Sequence, residues 1–392
     1  MVRKLAALLA SGLMAAAALA HDAAAPQADF AKMWQERQEK APRLAIAATF
    51  DATGRLWLAR AVGKHLQVSH SDDAGQHFSA AATVNRLPEL ISADGESRPE
   101  IAVVGQRVYV SWTQGLPQPF AGHIRFAVSS DGGVQFAEPI TVNDNLEPIT
   151  HRFNAMLADT KGITIAWIDK RDGSSQPDYR GGAIYTARSN DGGLTFAANR
   201  KLADHTCECC RLGLAADSDG EAVVFWRHIF DRNSRDFALA RLDQPPHRAS
   251  QDGWEIDACP HHGGSLAIDA EGRRHIAWFT GAEKSPGLHY RQINGEKMTT
   301  PMSFGNLDAQ AGHPMVITYG TTVHLAWREF DGQENRIMAI RSSNHGLSWS
   351  SPAALASSAG AADDPLLVSG RGAVWLIWNT ADNGLKTIKI GS

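Results

Sequence analysis

The chain has little cysteine, little tyrosine and no excess of positive charge. Its 392 residues include only 4 Cys and 5 Tyr, and the net charge is -4. A protein that binds nucleic acid normally carries a basic surface, so this charge predicts no nucleic-acid partner. After the first 20 residues, no apolar run approaches the roughly 20 residues that a transmembrane helix needs, which predicts no membrane span.

Residues 1–20 have the pattern of a signal peptide. Arg3 and Lys4 precede an apolar stretch that ends in Ala18-Leu19-Ala20, a typical cleavage sequence. We therefore expect a secreted or periplasmic protein. Residues 21–41 are expected to form an N-terminal linker, with a helix near residues 30–39, and residues 42–392 to form the folded domain.

The most informative feature is an eight-residue motif that recurs along the chain. Its pattern is S-x-D-x-G-x-x-[FW], found at residues 71–78, 129–136 and 189–196, with a weaker copy at 342–349. In such a turn the Asp accepts backbone N–H bonds, the Gly adopts positive φ and the aromatic ring packs between sheets. Recurrence of one supersecondary unit indicates an array of similar blades.

Apolar runs that end at tryptophan give the number of repeats. Seven such runs end at or near Trp57, Trp112, Trp167, Trp226, Trp278, Trp327 and Trp378. Short strands between turn signals are typical of all-β proteins. We therefore predict an all-β fold, a single β-propeller with seven blades, with six blades as the alternative. The last repeat stops after its third strand, so either an N-terminal segment completes that blade or the blade is incomplete.

The repeated motif resembles the Asp box of the sialidase superfamily of β-propellers. The resemblance implies that the boxes lie on the blade peripheries, away from the central funnel, and do not catalyse. The chain departs from sialidases in its seven repeats and in lacking the Phe/Tyr-Arg-Ile-Pro motif, whose nearest counterparts surround Arg98 and Arg152. No Tyr precedes an inner strand, where the sialidase nucleophile would be expected. The resemblance therefore favours a member that is not a sialidase.

Residues just before each inner strand should lie near the central opening of a propeller. They are Arg43, Arg98, Arg152, Arg211, His262, His313 and Asp364, and the ends of the second strands add Asp169, Arg227, Arg328 and Glu329. Converging arginines can bind a carboxylate or phosphate bidentately. The candidate ligand-binding residues are Arg98, Arg152, Arg211, Arg227 and Arg328. Alternatively, these arginines pair with Asp169, Glu329 and Asp364.

All four cysteines lie in two loops that lead into neighbouring inner strands. The candidate metal ligands in these loops are Cys207, Cys209, Cys210, Cys259, His205, His261 and His262. Thiolates and imidazoles suit copper in its reduced state, with zinc as the alternative cofactor. Two disulfides, or one disulfide with two free thiols, are also open for an exported chain.

Two functions follow from these candidate sites. The leading hypothesis is an exported propeller that handles or delivers a soft metal, with the metal ion and a periplasmic or outer-membrane protein as partners. The alternative is a sialidase-like exo-glycosidase or a glycan-binding protein that uses the funnel arginines. A third is a protein-interaction platform. Enzymatic activity is left open; an enzyme would be a sialidase-like glycoside hydrolase.

Overall fold

The computed structural model describes residues 27–173 and 179–391. The expected signal peptide and the first residues of the linker lie outside this part of the chain. Before the strands begin there is one helix, α1 (Gln27–Lys40), which contains the expected helix and is longer. It has no Gly or Pro, and Pro42 follows its end. No helix in the described part of the chain is long and apolar enough to span a membrane.

Residues Pro42–Ser392 form a separate compact unit made of seven antiparallel sheets. Blade one contains β1 (Ile46–Phe50), β2 (Leu56–Val62), β3 (His65–Ser71) and β4 (Ala82–Thr83). Blade two contains β5 (Leu90–Ile91), β6 (Glu100–Val104), β7 (Arg107–Gly115), β8 (Gly122–Ser129) and β9 (Ile140–Thr141). Blade three contains β10 (His151–Asp159), β11 (Gly162–Asp169), β12 (Gly182–Ser189) and β13 (Arg200–Thr206).

The remaining blades repeat the same order. Blade four contains β14 (Gly213–Ala216), β15 (Ala222–Arg227), β16 (Phe237–Arg241) and β17 (His247–Arg248). Blade five contains β18 (Ser265–Ile268), β19 (Arg274–Thr280), β20 (Gly287–Asn294), β21 (Lys297–Met298) and β22 (Met302–Phe304). A short 3₁₀ helix, Leu307–Ala309, precedes blade six, which contains β23 (Gly312–Tyr319), β24 (Thr322–Phe330), β25 (Asn335–Ser342) and β26 (Ala353–Ser358). Blade seven contains β27 (Leu366–Gly370), β28 (Ala373–Thr380) and β29 (Gly384–Gly391).

The blades form a closed seven-membered ring. Their innermost strands, β1, β6, β10, β14, β18, β23 and β27, each contact the next, and β27 contacts β1. Blade seven has three strands, and no strand from the described N-terminal residues joins it. Apolar packing closes the ring instead, since Ile46 and Leu58 of blade one share a core cluster with Leu366 and Val368. The prediction of seven blades is confirmed, and the six-blade alternative is wrong.

In blades two to seven, a tryptophan towards the end of the second main strand fills the space between blades. Trp112, Trp167, Trp226, Trp278, Trp327 and Trp378 are fully buried. A buried indole N–H needs an acceptor, and several of these find a carboxylate: Trp167 Nε1 donates to Asp169 Oδ2 at 2.9 Å and Trp112 Nε1 to Glu89 Oε2 at 3.0 Å. The recurring Trp is therefore a packing residue of the blade rather than part of a ligand site.

The Asp boxes lie on the hairpins between the third and fourth strands, as the resemblance implied. In blade two, Asp131 Oδ1 accepts N–H bonds from Val134 at 3.1 Å and Gln135 at 3.0 Å. Gly133 has φ +82°, and a Cβ there would lie 2.6 Å from the ring of Trp57 in blade one. The box therefore needs glycine both for its backbone conformation and for its contact with the preceding blade.

Candidate functional site

One carboxylate from blade two is bound by the entry loops of three other blades. Glu96 lies in the loop before β6. Its Oε2 accepts the backbone N–H groups of Arg211 and Gly263, both at 2.8 Å, and its Oε1 accepts Arg211 Nη1 at 3.0 Å. Arg211 precedes β14 in blade four and Gly263 precedes β18 in blade five. A contact between blade two and these blades places Glu96 across the central opening of the ring.

His313 connects this carboxylate to a second one. Its Nδ1 lies 2.9 Å from Glu96 Oε1 and 3.1 Å from Asp364 Oδ2. His313 has φ +53°, a left-handed conformation that is uncommon outside glycine, at a register shift in β23 between Gly312 and Met315. The backbone thus holds the imidazole between the two carboxylates. Its Nε2 makes no hydrogen bond with the described residues, so this nitrogen can exchange a proton with a ligand.

Two buried polar atoms next to His313 have no hydrogen-bond partner among the described residues: Asp364 Oδ1 and His262 Nδ1. The His262 ring lies between other rings, with its centroid 4.2 Å from that of Phe279 and 4.5 Å from that of His313. Buried polar groups in native proteins are nearly always paired. Asp364 Oδ1 does lie 3.4 Å from Arg328 Nε, an ion-pair contact, so of the two atoms only His262 Nδ1 has neither kind of partner among the described residues.

The charges of the cluster follow from burial and from neighbouring ions. Burial alone would raise the pKa of Glu96, but Arg211 and His313 hold that pKa well below its usual range. Asp364 behaves similarly: burial opposes ionisation, and His313 and Arg328 lower its pKa. Burial lowers the pKa of His262 to about 3. At neutral pH the cluster therefore contains two ionised carboxylates and a neutral His262.

Two further acids near the opening keep a proton more readily. Burial raises the pKa of Glu100, at the start of β6, to about 8, and Arg98 only partly opposes this. Burial also raises the pKa of Asp363 to about 6, again against the effect of Arg98. Arg98 Nη2 lies 3.3 Å from Asp363 Oδ1. With a pKa of about 8, Glu100 is largely protonated at neutral pH.

The candidate funnel arginines bind protein groups rather than forming an open clamp. Arg98 pairs with Asp363 and Arg211 with Glu96, while Arg328 Nε lies 3.4 Å from Asp364 Oδ1. These contacts match the alternative in which the arginines neutralise carboxylates. However, the partners are mostly acids that the sequence did not single out.

Two other candidate arginines are buried. Arg227 donates to the carbonyl oxygens of His262 and Phe279, both at 2.8 Å. The guanidinium carbon of Arg152 lies 5.0 Å from the centroid of the Phe153 ring. Both side chains therefore support the walls of the funnel.

The other entry and strand-end residues lie outside the cluster. Arg43 donates to the Gly63 carbonyl oxygen. Asp169 and Glu329 accept the indole N–H groups of their neighbours Trp167 and Trp327. These contacts stabilise individual blades and leave Glu96, His313 and Asp364 as the centre of the candidate site.

Sequence reasoning missed Glu96, Glu100 and Asp363. The acids at 94, 96 and 100 flank Arg98 in the sequence, which is a weak local signal of a charged cluster. The partners of Glu96 are more than 100 residues away in sequence, at separations of 115, 167 and 217. Spacing along the chain could not reveal such contacts.

The two cysteine loops meet beside this cluster. Cys207 Sγ lies 3.8 Å from Cys209 Sγ and 3.9 Å from Cys210 Sγ. Cys209, Cys259 and His261 form a second group whose donor atoms lie within 4.8 Å of one another. All four cysteines are free thiols in the structure, and Cys259 is the exposed one.

Two of the candidate metal-binding histidines lie apart from the thiols. The His205 ring is 4.9 Å from that of Tyr179, and its Nδ1 is 3.4 Å from the backbone N of Arg180. The His262 ring lies against that of His313, tilted by 37°. Of the candidate histidines, His261 is the one that the structure brings to the cysteines.

Comparison with known proteins identifies the fold but not a family. No protein-family model matches the chain, and no curated protein matches it. An ulvan lyase, described as a polysaccharide lyase of a new family, PL25, has a TM-score of 0.60 and 12% identity, covering 90% of this chain and 93% of its own. The lectin BP39L of Burkholderia pseudomallei has a TM-score of 0.54 and 12% identity, and the alignment covers 89% of this chain and 99% of the lectin. A leech intramolecular trans-sialidase has a TM-score of 0.46 and 11% identity, and the alignment covers 90% of this chain and 68% of the trans-sialidase.

The ulvan lyase and the lectin, both with TM-scores above 0.5, show that this chain shares its fold with solved structures that are only 12% identical to it. They also correct the leading functional hypothesis. The two structures with TM-scores above 0.5 are named as a lyase and a lectin, both glycan proteins, and neither is named as a metal carrier. The metal-handling interpretation is therefore wrong, and the glycan alternative is the better supported. Whether copper or zinc binds the cysteine loops stays a prediction.

Proposed function

We propose that this chain is a glycan-acting propeller protein whose substrate binds in the funnel against Glu96, His313 and Asp364. The observation that carries the proposal is the imidazole held by two ionised carboxylates, next to two buried polar atoms that make no hydrogen bond with the described residues. The folds of an ulvan lyase and a lectin, both at TM-scores above 0.5, support a glycan as the ligand. On this proposal the finer activity depends on what His313 does.

His313 is suited to accept a proton at Nε2. Its Nδ1–H donates to Glu96, with Asp364 Oδ2 at ion-pair distance from the same nitrogen, and this fixes the tautomer that leaves a lone pair on Nε2. The same carboxylates would stabilise the imidazolium after the proton has been taken. A general base of this kind contributes roughly 10²–10⁴-fold to a rate when its target proton is within hydrogen-bond reach.

The arrangement favours elimination over hydrolysis. Glycoside hydrolysis usually needs two carboxyl groups on opposite sides of the scissile bond, one of them protonated. Glu96 and Asp364 instead converge on one nitrogen of His313, and both are ionised. A single base can remove the proton from the carbon next to a uronate carboxylate; its electron pair then forms a carbon–carbon double bond as the glycosidic oxygen leaves. Glu100, which is largely protonated at neutral pH, is our candidate for the acid that protonates this oxygen.

A lectin without turnover is the second candidate. Elimination requires the carboxylate of the substrate to be neutralised. Three of the funnel arginines already bind carboxylates of the protein and would neutralise a substrate carboxylate less strongly, which favours binding without turnover. The similarity to the lectin BP39L points the same way.

The test is a panel of uronate-containing and neutral polysaccharides. Elimination is followed by the ultraviolet absorbance of the unsaturated product, hydrolysis by new reducing ends, and binding by calorimetry. We expect uronate glycans to give the unsaturated product, with His313→Gln losing roughly 10²-fold or more in rate while keeping its binding. His247→Gln, a change on the exposed outer strand β17, is the control and should leave the rate unchanged.

Each other outcome has a distinct meaning. Binding without turnover of any glycan would select the lectin function. Reducing ends without unsaturated product would select hydrolysis and exclude the assigned role of His313. Absence of both binding and turnover across the panel would overturn the proposal.

A further inference from the structure

The two cysteine loops are also the loops that hold Glu96. Arg211, whose backbone N–H donates to Glu96 Oε2, directly follows Cys210. Gly263, whose N–H donates to the same oxygen, lies shortly after Cys259 in the other loop. The distance between these two donors therefore depends on how firmly the loops are joined beside the funnel.

The sulfur atoms fall into two groups that share Cys209. Cys207, Cys209 and Cys210 belong to the loop of blade four, are buried, and pack in the core cluster that contains Trp226. Cys259 belongs to the loop of blade five, is exposed, and joins the cluster only through the group that contains Cys209 and His261. Cys209 and Cys259 are thus the pair of thiols in contact range that connects one loop to the other.

We propose that Cys209 and Cys259 are a site of disulfide formation, and that this bond joins the entry loops of blades four and five and fixes the two N–H groups that hold Glu96. The bond would make the funnel site sensitive to the redox state of its surroundings. The inference concerns the cysteines alone and does not rest on the glycan function.

The reaction needs an oxidant, which is a low-molecular-weight or protein disulfide. The exposed Cys259 thiolate attacks one sulfur of that disulfide, and the other sulfur leaves as a thiolate. Cys209 then loses its proton and attacks the Cys259 sulfur of the mixed disulfide, which releases the second thiol. In total two protein thiols are oxidised to one disulfide, and one external disulfide is reduced to two thiols.

Oxidation should stabilise the fold as well as the loops. The crosslink would enclose about 50 residues of chain, and closing a loop of that size restricts the unfolded state. We expect the melting temperature to rise by a few degrees on oxidation. Amide exchange in the peptides that contain Arg211 and Gly263 should slow at the same time, because their spacing around Glu96 is then fixed.

The experiment compares reduced protein with protein equilibrated with glutathione disulfide, both after treatment with a metal chelator. Peptide mapping by mass spectrometry should find a Cys209–Cys259 linkage and the loss of two titratable thiols. Cys259→Ser should abolish the linkage, the rise in melting temperature and the slower exchange. Cys207→Ser is the matched control and should retain all three. Should a serine variant fail to fold, alkylation mapping of the unmodified protein gives the linkage directly.

Three outcomes would overturn the inference. One is a Cys207–Cys210 linkage with Cys259 still free. Another is a stable glutathione adduct on Cys259 that never resolves into a crosslink. The third is an ion, found by elemental analysis before chelation, that protects all four thiols and whose removal leaves no crosslink after oxidation. None of these readouts involves a glycan, so failure here and failure of the proposed function are separate results.

Discussion

Replacing Glu96 with glutamine tests whether the carboxylate organises the funnel. Four donors surround it: the backbone N–H groups of Arg211 and Gly263, the Arg211 guanidinium and His313 Nδ1. A glutamine can place its carbonyl oxygen against the two backbone donors. Its NH₂ group then faces Arg211 Nη1 and His313 Nδ1, which are themselves donors, so both of these bonds are lost.

The expected loss in the free energy of unfolding follows from the two hydrogen bonds that Glu96→Gln removes. A hydrogen bond to a charged group is worth about 1.5–3 kcal/mol, and breaking a buried ion pair by removing one partner costs about 3–5 kcal/mol. We therefore expect Glu96→Gln to lower the free energy of unfolding by about 3–5 kcal/mol. Equilibrium unfolding in urea at neutral pH measures it. Glu36→Gln on the surface of α1, whose contact with Lys40 is an exposed i,i+4 pair, is the control and should change stability by less than about 0.5 kcal/mol.

The same pair of proteins gives a pH test with a defined sign. The folded-state pKa of Glu96 lies below its unfolded value, about 4.3 for an ordinary glutamate. Its contribution to stability is therefore complete above that value and is lost as the pH falls through it towards the folded-state pKa. Other carboxylates titrate in both proteins and cancel in the difference. The gap in unfolding free energy between wild type and Glu96→Gln should narrow on acidification. A gap that stays constant from neutral pH down to about pH 3 would refute the assigned ionisation of Glu96.

The fold was readable from the sequence because its signals are local. The Asp box around Asp131 makes its hydrogen bonds within four residues, and Trp167 bonds to Asp169 two residues away. Repetition of such short units gives the number of blades. The way in which the ring closes could not be predicted from the sequence, because it depends on packing between Ile46 and Leu366, which lie near opposite ends of the sequence of the propeller.

The site was only partly readable, for the opposite reason. His313 and Asp364 were placed near the opening by their position before inner strands, and the structure brings them together. Glu96 was not, because it reaches the cluster through a long loop and bonds to residues of three other blades. The row of arginines before the inner strands also suggested a clamp for a ligand. In the folded protein two of these arginines lie against buried carboxylates, and buried charges need a partner of opposite sign. Arg98 illustrates this, since it lies against the buried carboxylate of Asp363.

Two further predictions test the blade contacts and the resemblance to sialidases. Gly133→Ala should destabilise the protein by about 1–3 kcal/mol more than Gly132→Ala, as measured by thermal unfolding. Both glycines have positive φ, but only the Cβ at 133 would meet the Trp57 ring, at 2.6 Å, whereas nothing lies within 4 Å of the one at 132; equal losses would show that the box does not contact the neighbouring blade as described. The protein should not turn over a fluorogenic sialoside, because no described tyrosine hydrogen-bonds to the funnel cluster, and Tyr319 lies at the far end of β23 from His313. For Tyr319 to act as a nucleophile beside His313, it would have to lie at the other end of β23 from where the structure places it. Sialoside turnover that Tyr319→Phe abolishes would therefore contradict both the geometry of this blade and the assignment of His313 as the reacting group.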